Sequence, residues 1–306
     1  MISVCIPVYN FDVRLLVGEL HKQAMALESG VEILVIDDAS NKEFQHLNRE
    51  ITQLFSVVYL ELPANIGRSP IRNLLSGKAR NEWLLFMDCD SEITSDRFLA
   101  DYAALTKGVQ VVCGGREYQS ARPQKEFVLH WKYGKYREVK CAKTRGMHPY
   151  HSFMTNNFMV HKQILSRIQF DEAIMGYGHE DTLFGFELMR QSLPVVHINN
   201  PLLHINLENH AVFLKKSQEA IANLHGIYLR SNTPEQFAKF VRLLRWSKKS
   251  GNSFIGRLLI FLARYNTKLF TKNLMSSNPF LLFYDLLRLS KICELMKAST
   301  SHQHSM

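Results

Sequence analysis

The chain has 306 residues, 46% of them hydrophobic and 21% charged. That is enough for one large or two smaller globular domains, and it excludes a low-complexity disordered polymer. The net charge of +9 is lopsided: residues 1–211 hold 22 Lys and Arg against 24 Asp and Glu, and residues 212–306 hold 15 against 4.

The first elements alternate between two periods. Residues 2–8 (ISVCIPV) form a short β-rich run that ends at Tyr9-Asn10, and 31–36 (VEILVI) form another that ends at Asp37-Asp38. Between them Leu15, Leu16, Leu20, Ala24 and Leu27 recur at helical spacing, which makes a β-α-β unit. A helix is expected over about 43–54, a strand at 56–62, a helix near 70–80, the apolar strand WLLFMD at 83–88, a helix at 95–106 and a strand at 109–115. Strands alternating with helices predict a doubly wound sheet, whose ligands bind beyond the carboxyl ends of the strands. Asn10, Asp38 and Asp88 all stand at such ends and make one candidate site.

Residues 116–150 mix aromatic and basic residues without clear period and read as a mobile, partly helical excursion. Residues 151–211 return to mixed structure, and the chain reads as helical from 212 onward. There Leu258, Phe261, Leu262, Tyr265, Leu269 and Phe270 keep an i, i+3, i+4 pattern broken by Arg257, Arg264 and Lys268. The Ser- and His-rich stretch 298–306 is expected to be disordered. The basic surplus of the last third fits an acidic partner, a membrane surface or nucleic acid, or a solvated helical surface. No DNA-recognition motif is visible in it.

Five cysteines, Cys5, Cys89, Cys113, Cys141 and Cys293, form no close CxxC pair and suit a reduced, cytosolic setting. The run Ile2 to Val8 contains Pro7 and lacks a basic leader, so no secretory signal is expected. No apolar window reaches membrane-spanning length.

Asp88 and Asp90, at i and i+2 on the mouth of a parallel sheet, suggest a hard-cation site, where a divalent ion would stabilise charge on a departing phosphate. The segments SVCIPVYN, VIDDAS, NIGRSPIRN and FMDCD, in this order, resemble the family-two glycosyltransferases, which have the GT-A fold. NNFMVHKQIL and GYGHED resemble the second half of that catalytic domain. The G-Y-G-x-E-D string is similar to the acceptor motif of galactosyltransferases and chondroitin-type polymerases.

The resemblance implies roles. Pro7, Val8 and Tyr9 would line the nucleotide base, and Asp38 would accept from the uracil imide while Asp37 holds local backbone. Asn65, Gly67 and Arg68 would form a donor loop, with Arg68 or Arg72 paired to the pyrophosphate. Asp90 would be the direct metal ligand. Asp88, next to Cys89, would touch the ribose and support the metal, and His204 would complete the ligand set, with His197 and His210 as rivals. Carboxylates plus an imidazole favour Mn²⁺, with Mg²⁺ also compatible. Asp181 would be the general base of an inverting displacement, and Glu180 would hold an acceptor hydroxyl beside Tyr177 and Gly178.

Two departures bear on this reading. Ile71 stands where the family usually has Ala. No Q-x-x-R-W motif follows residue 211, since Arg245-Trp246 is preceded by VRLL, which argues against a processive synthase. The expectation is therefore an α/β protein with a GT-A nucleotide-binding sandwich around a mostly parallel sheet (1–211), a basic amphipathic helical extension (212–297) and a disordered tail (298–306). It would be a hexosyl- or N-acetylhexosaminyltransferase, UDP-sugar- and metal-dependent, acting on a glycan or lipid-linked hydroxyl in polysaccharide biosynthesis. Its place would be cytoplasmic, peripheral to an anionic membrane through 253–297, with no nucleic acid partner. The alternatives are a nucleotide-sugar-binding scaffold or sensor and a nucleotidyltransferase.

Overall fold

The computed structural model describes residues 1–27 and 30–303. The chain divides into two compact units. The first comprises Met1–Gln119, Glu138–Met175 and Glu180–Asn206. The second comprises Ser120–Arg137, Gly176–His179 and the chain from Leu207 onward.

The first unit is built on β1 (Ile2–Val8), β2 (Val31–Asp37), β3 (Val57–Glu61), β4 (Trp83–Met87), β5 (Ser91–Ile93), β6 (Val111–Cys113), β7 (Arg116–Tyr118), β8 (Asn157–His161), β9 (Val195–His197) and β10 (Leu202–His204). Seven of these form one sheet in the order β3-β2-β1-β4-β8-β6-β9. Strands β3, β2, β1 and β4 run parallel, as do β6 and β9, whereas β8 runs antiparallel to both β4 and β6. The mostly parallel sheet expected from the alternating elements is present. The reversed β8 is not legible from periodicity, because a strand buried on both faces is apolar throughout whichever way it runs.

Each central strand divides its side chains between two cores, because successive residues point to opposite faces. Val4, Ile6 and Val8 pack with Leu16, Val17 and Leu20 of the helix Arg14–Met25 and with Phe98 and Tyr102. Cys5 packs on the other face with Ile71 and Leu75 of the helix Arg68–Lys78 and with Phe158, Phe184 and Leu188. Helices thus cover both faces, and the free strand ends lie at one rim.

A second sheet, in the order β5-β10-β7, supports that rim. Its register sets His204 opposite Ser91 on one side and Tyr118 on the other. The amide of Ile205 donates to the carbonyl of Asp90 at 3.1 Å, which ties the end of β10 to the loop after β4. Gly114 lies where a Cβ would meet the Asn157 amide nitrogen and the Tyr102 hydroxyl, both at 2.4 Å, so only glycine lets β6 lead into β7 here.

The second unit is helical, with Val128–Tyr133, His210–Arg230, Pro234–Phe240, Arg242–Asn252, Phe254–Tyr265, Thr267–Leu274 and Leu281–Gln303 as its α-helices. Leu129, Phe213, Leu274 and Tyr284 form one buried cluster in it. The last helix runs to Gln303, across most of the stretch expected to be disordered, and residues 304–306 lie outside the described residues. The excursion 116–150 also has more order than expected. It holds β7, two short α-helices, and 3-10 and π turns.

Candidate active site

The rim of the first unit gathers most of the residues singled out in the sequence. At the end of β1 the carbonyl of Val8 accepts from the Asp38 amide at 2.7 Å. The Tyr9 ring beyond it is 53% exposed, so it is open to a planar ligand. Asp37 and Asp38 divide their work. Asp37, fully buried, accepts from the Ser40 amide at 2.6 Å and the Tyr59 hydroxyl at 3.1 Å. Asp38 accepts from the amides of Ile66 and Gly67 at 2.7 and 3.0 Å, and its carbonyl accepts from the Asn65 side chain at 3.1 Å. Asp38 thereby pins the loop that opens the helix Arg68–Lys78. Burial raises its pKa, and the two amides oppose that rise. Gly67, at φ 90° and ψ 174°, occupies a region that essentially only glycine adopts.

Asp88 is clamped between two arginines. Its Oδ1 accepts from Arg72 at 3.0 Å and its Oδ2 from Arg116 at 3.2 Å. The Arg72 side chain is 2% exposed, and its other terminal nitrogen lies 3.5 Å from Glu180. Arg116 reaches Glu138 at 3.3 Å, and Glu138 accepts from the Tyr118 hydroxyl at 2.6 Å. Buried ions persist only when so paired. Arg72 is thus held between Asp88 and Glu180, and both oxygens of Asp88 are on arginines. Arg68 is 40% exposed and lies 3.9 Å from Glu180.

Asp90 has the other environment. Its Oδ1 lies 3.5 Å from His204 Nδ1. Burial works to raise its pKa, but the hydrogen bond and charge of His204, with Arg116 and Arg68, outweigh that and hold the carboxyl below its usual range. An ionised carboxylate beside an imidazole, two donors within 3.5 Å, fits a divalent cation whose remaining positions are filled from outside the protein. Among the described residues no group of three or more His, Cys, Asp and Glu side chains is placed to hold a metal; of the expected ligands, Asp90 and His204 stand side by side. The Tyr118 ring meets the His204 imidazole edge-on at 5.3 Å and fixes its plane. Cys89, between the two aspartates, has a thiol pKa raised by burial.

The rival histidines are accounted for differently. His197 Nδ1 lies 2.9 Å from an Arg145 guanidinium nitrogen and Nε2 lies 3.0 Å from the Pro149 carbonyl. Arginine only donates, so Nδ1 accepts, Nε2 donates, and no lone pair is left for a metal. His210 opens the helix His210–Arg230 of the second unit.

The GYGHED segment straddles the two units. Gly176 and Gly178 take φ 72° and 96° in the second unit, and a Cβ on Gly178 would meet Ala220 at 2.7 Å. The Tyr177 carbonyl accepts from Asn223 at 3.0 Å, and Lys216 sits over its ring at 5.0 Å. Glu180 and Asp181 open the helix Glu180–Arg190 of the first unit. Glu180, expected to hold an acceptor, is buried and faces Arg72 and Arg68. Asp181 is half-buried, and its Oδ1 accepts from the Thr182 amide at 2.6 Å. Burial, then the charge of Glu180, raises its carboxyl to about 6 against the pull of Thr182 and Arg72.

A family model described as glycosyl transferase family 2 matches residues 3–165, more than half of the chain. The chain belongs to this family. The family match takes in Pro7 through Asp90 and stops short of Glu180, Asp181 and His204. A Haemophilus influenzae protein described as an uncharacterized glycosyltransferase is 28% identical over 121 residues. That stretch is 37% of this chain and 48% of the relative, so the chain spans about half the length of the curated relative it matches.

Solved structures extend the likeness to the fold. TarS 1–349 of S. aureus superposes with a TM-score of 0.55 at 16% identity, covering 98% of this chain and 91% of that one. A Pyrobaculum calidifontis mannosyltransferase, solved with GDP-Man and Mn²⁺, gives 0.55 at 12% identity over 98% and 86%. A Mycobacterium tuberculosis glucosyl-3-phosphoglycerate synthase, solved with Mn²⁺, UDP and glucosyl-3-phosphoglycerate, gives 0.51 at 18% over 74% and 79%. At these identities the likeness concerns the fold, and the family-two chain has the GT-A architecture expected from its sequence.

Three residues of the site escaped the sequence reading: Arg116, Tyr118 and Glu138. Their one visible signal was the Arg-x-Tyr alternation directly after Gly114-Gly115, the mark of a short strand whose residues i and i+2 share a face.

Proposed function

We propose that the chain is a glycosyltransferase that moves a sugar from a UDP-sugar to a hydroxyl of a glycan or lipid-linked acceptor, with inversion and with a divalent metal, Mn²⁺ in preference to Mg²⁺. The observation that carries the proposal is the Asp90–His204 pair at the strand rim, beside a donor loop pinned by Asp38. The neighbours crystallised with a nucleotide and Mn²⁺ or Mg²⁺ support it.

The base stacks at Pro7, Val8 and the open ring of Tyr9. Each Asp38 oxygen keeps a second lone pair for the imide of uracil. Arg68 and the amides at the start of its helix meet the diphosphate. Asp90 and His204 would hold the metal, which when bound would supply positive charge against the departing diphosphate. Asp88, fixed by Arg72 and Arg116, accepts from the ribose side without moving.

Asp181 takes the proton of the acceptor hydroxyl. The oxygen so released forms the new bond to the anomeric carbon as the carbon–phosphate-oxygen bond breaks, and the electron pair leaves with UDP. One displacement inverts the anomeric carbon and requires no covalent enzyme intermediate. The sugar moved is a hexose or an N-acetylhexosamine, and the G-Y-G-x-E-D string resembles the acceptor motif of galactosyltransferases and chondroitin-type polymerases.

The test is nucleotide release by purified protein from UDP-, GDP- and dTDP-sugars, with Mn²⁺, with Mg²⁺ and with EDTA. UDP release that depends on the metal supports the proposal. Release of GDP alone reassigns the base, and no release from any donor favours a nucleotide-sugar-binding scaffold.

A further inference from the structure

The helix Phe254–Tyr265 in the second unit is built the wrong way round for a helix of a soluble domain. Such helices turn an apolar stripe to the core and a polar face to water. Here the inward residues are Gly256, Ile260 and Ala263. Phe254, Ile255, Leu258, Leu259, Phe261, Leu262 and Tyr265 are exposed, Phe254 at 73% and Tyr265 at 82%. At about 100° per residue these seven cover an outward arc of about 160°, and Arg257 and Arg264 stand together at one edge of it. Gly256 lets the inner face close on its neighbour, since a Cβ there would lie 2.5 Å from the Ser250 backbone. The small inner face is therefore packed within the unit, and the large outer face stays exposed among the described residues.

The charge around the arc selects what covers it. Residues 242–272 contain eight Lys and Arg and no Asp or Glu. Arg242, Arg245 and Lys249 are exposed on the preceding helix, where the half-exposed Trp246 carries Arg242 over its ring. Lys268 is exposed on the following helix, beside the exposed Leu269. An apolar face whose own helix and flanking helices carry only cations over residues 242–272 matches a surface that is apolar within and anionic at its boundary. A second copy of the chain would set cations against cations at close range. Nucleic acid would leave seven large apolar side chains unexplained. Among the described residues no helix is long and apolar enough to cross a membrane.

We propose that the helix Phe254–Tyr265 lies in the interface of an anionic bilayer, its Phe, Leu and Tyr side chains among the acyl chains and its arginines at the headgroups. The proposal adds a partner to the transfer reading without depending on it. Vesicle binding tests one, and donor hydrolysis in solution tests the other.

The experiment is co-sedimentation of the full chain with vesicles of phosphatidylcholine mixed with phosphatidylglycerol, and with vesicles of phosphatidylcholine alone. The native chain should pellet with the mixed vesicles roughly tenfold more than with the neutral ones, and raised salt should weaken this. The double variant Leu258→Asp/Phe261→Asp should remain in the supernatant while keeping its melting temperature and its donor hydrolysis, because both side chains are already in water. The variant Arg257→Glu/Arg264→Glu should bind the mixed vesicles less. A native chain that stays in the supernatant overturns the proposal, as does an aspartate variant that pellets as the native chain does. A native dimer in light scattering that this variant makes monomeric, with no vesicle binding, assigns the face to a second copy instead.

Discussion

His204 Nδ1 and Asp90 Oδ1 stand 3.5 Å apart because the β10 register places His204 against Ser91, the residue after Asp90. Two side chains 114 positions apart in the chain become one donor pair through a three-residue strand. If that pair holds the metal, Asp90→Ala should remove divalent-dependent UDP release. The loss should be roughly 10²–10³-fold, the equivalent of several kcal/mol of charge stabilisation. His204→Ala should raise the Mn²⁺ concentration for half-maximal activity with a smaller effect at saturation. Full activity of Asp90→Ala in EDTA would reject the assignment, and an unchanged Mn²⁺ titration for His204→Ala would remove the histidine from the site.

The clamp on Asp88 makes a separate prediction. Arg116→Met removes one of two buried cations and leaves Asp88 Oδ2 and Glu138 without their ionic partner. Breaking a buried pair by removing one member costs about 3–5 kcal/mol, more than an exposed pair is worth. Denaturant unfolding should show a loss of that order, and the Michaelis constant for donor should rise as Asp88 loses its fixed position. Arg116→Lys should recover part of the stability, since an ammonium can restore charge but not both contacts at once. A fully stable Arg116→Met variant would show that water already screens this network.

How the site is divided between local and long-range order explains what the sequence revealed. Asp38, Gly67, Asp88 and Asp90 sit at strand ends or helix starts, where an apolar run stops and a polar residue follows, so local pattern marks them. Arg72 was visible as a residue of a helix, but its place between Asp88 and Glu180 depends on partners 16 and 108 positions away, which a local pattern does not show. Arg116 and Glu138 meet across a separation of 22 positions whose sequence shows no clear period. The face of the helix Phe254–Tyr265 was visible as amphipathic, but a wheel of residues does not say which side the rest of the protein takes.

The loop that Asp38 pins has its own test in Gly67. Its φ of 90° and ψ of 174° cost a side chain about 1–3 kcal/mol, while open space surrounds the position, so strain and not collision opposes a Cβ. Gly67→Ala should destabilise the protein by about that amount, or relax the loop and weaken donor binding instead. Comparing the denaturation midpoint with UDP affinity by calorimetry separates the two. A variant unchanged in both would mean that the loop has no need of this backbone conformation.

Asp181 joins pH to both rate and stability. Burial and the neighbouring Glu180 raise its carboxyl to about 6, so a base role requires the ionised form and the rate should fall as pH drops through about 6. Asp181→Asn should bind the donor as the parent does and turn over roughly 10²–10⁴-fold more slowly, without that acidic limb. The stability effect has the opposite sense. A carboxyl whose folded pKa is raised above its unfolded value costs stability when ionised, fully above the folded pKa, and the cost disappears as pH falls below the unfolded value. Asp181→Asn should therefore be more stable than the parent at pH above about 6, with the gain lost in acid. A gain at neutral pH together with lost turnover marks a carboxylate kept under strain for chemistry. Parent-like turnover with no change in the pH profile would leave Asp181 as an acid that opens a helix.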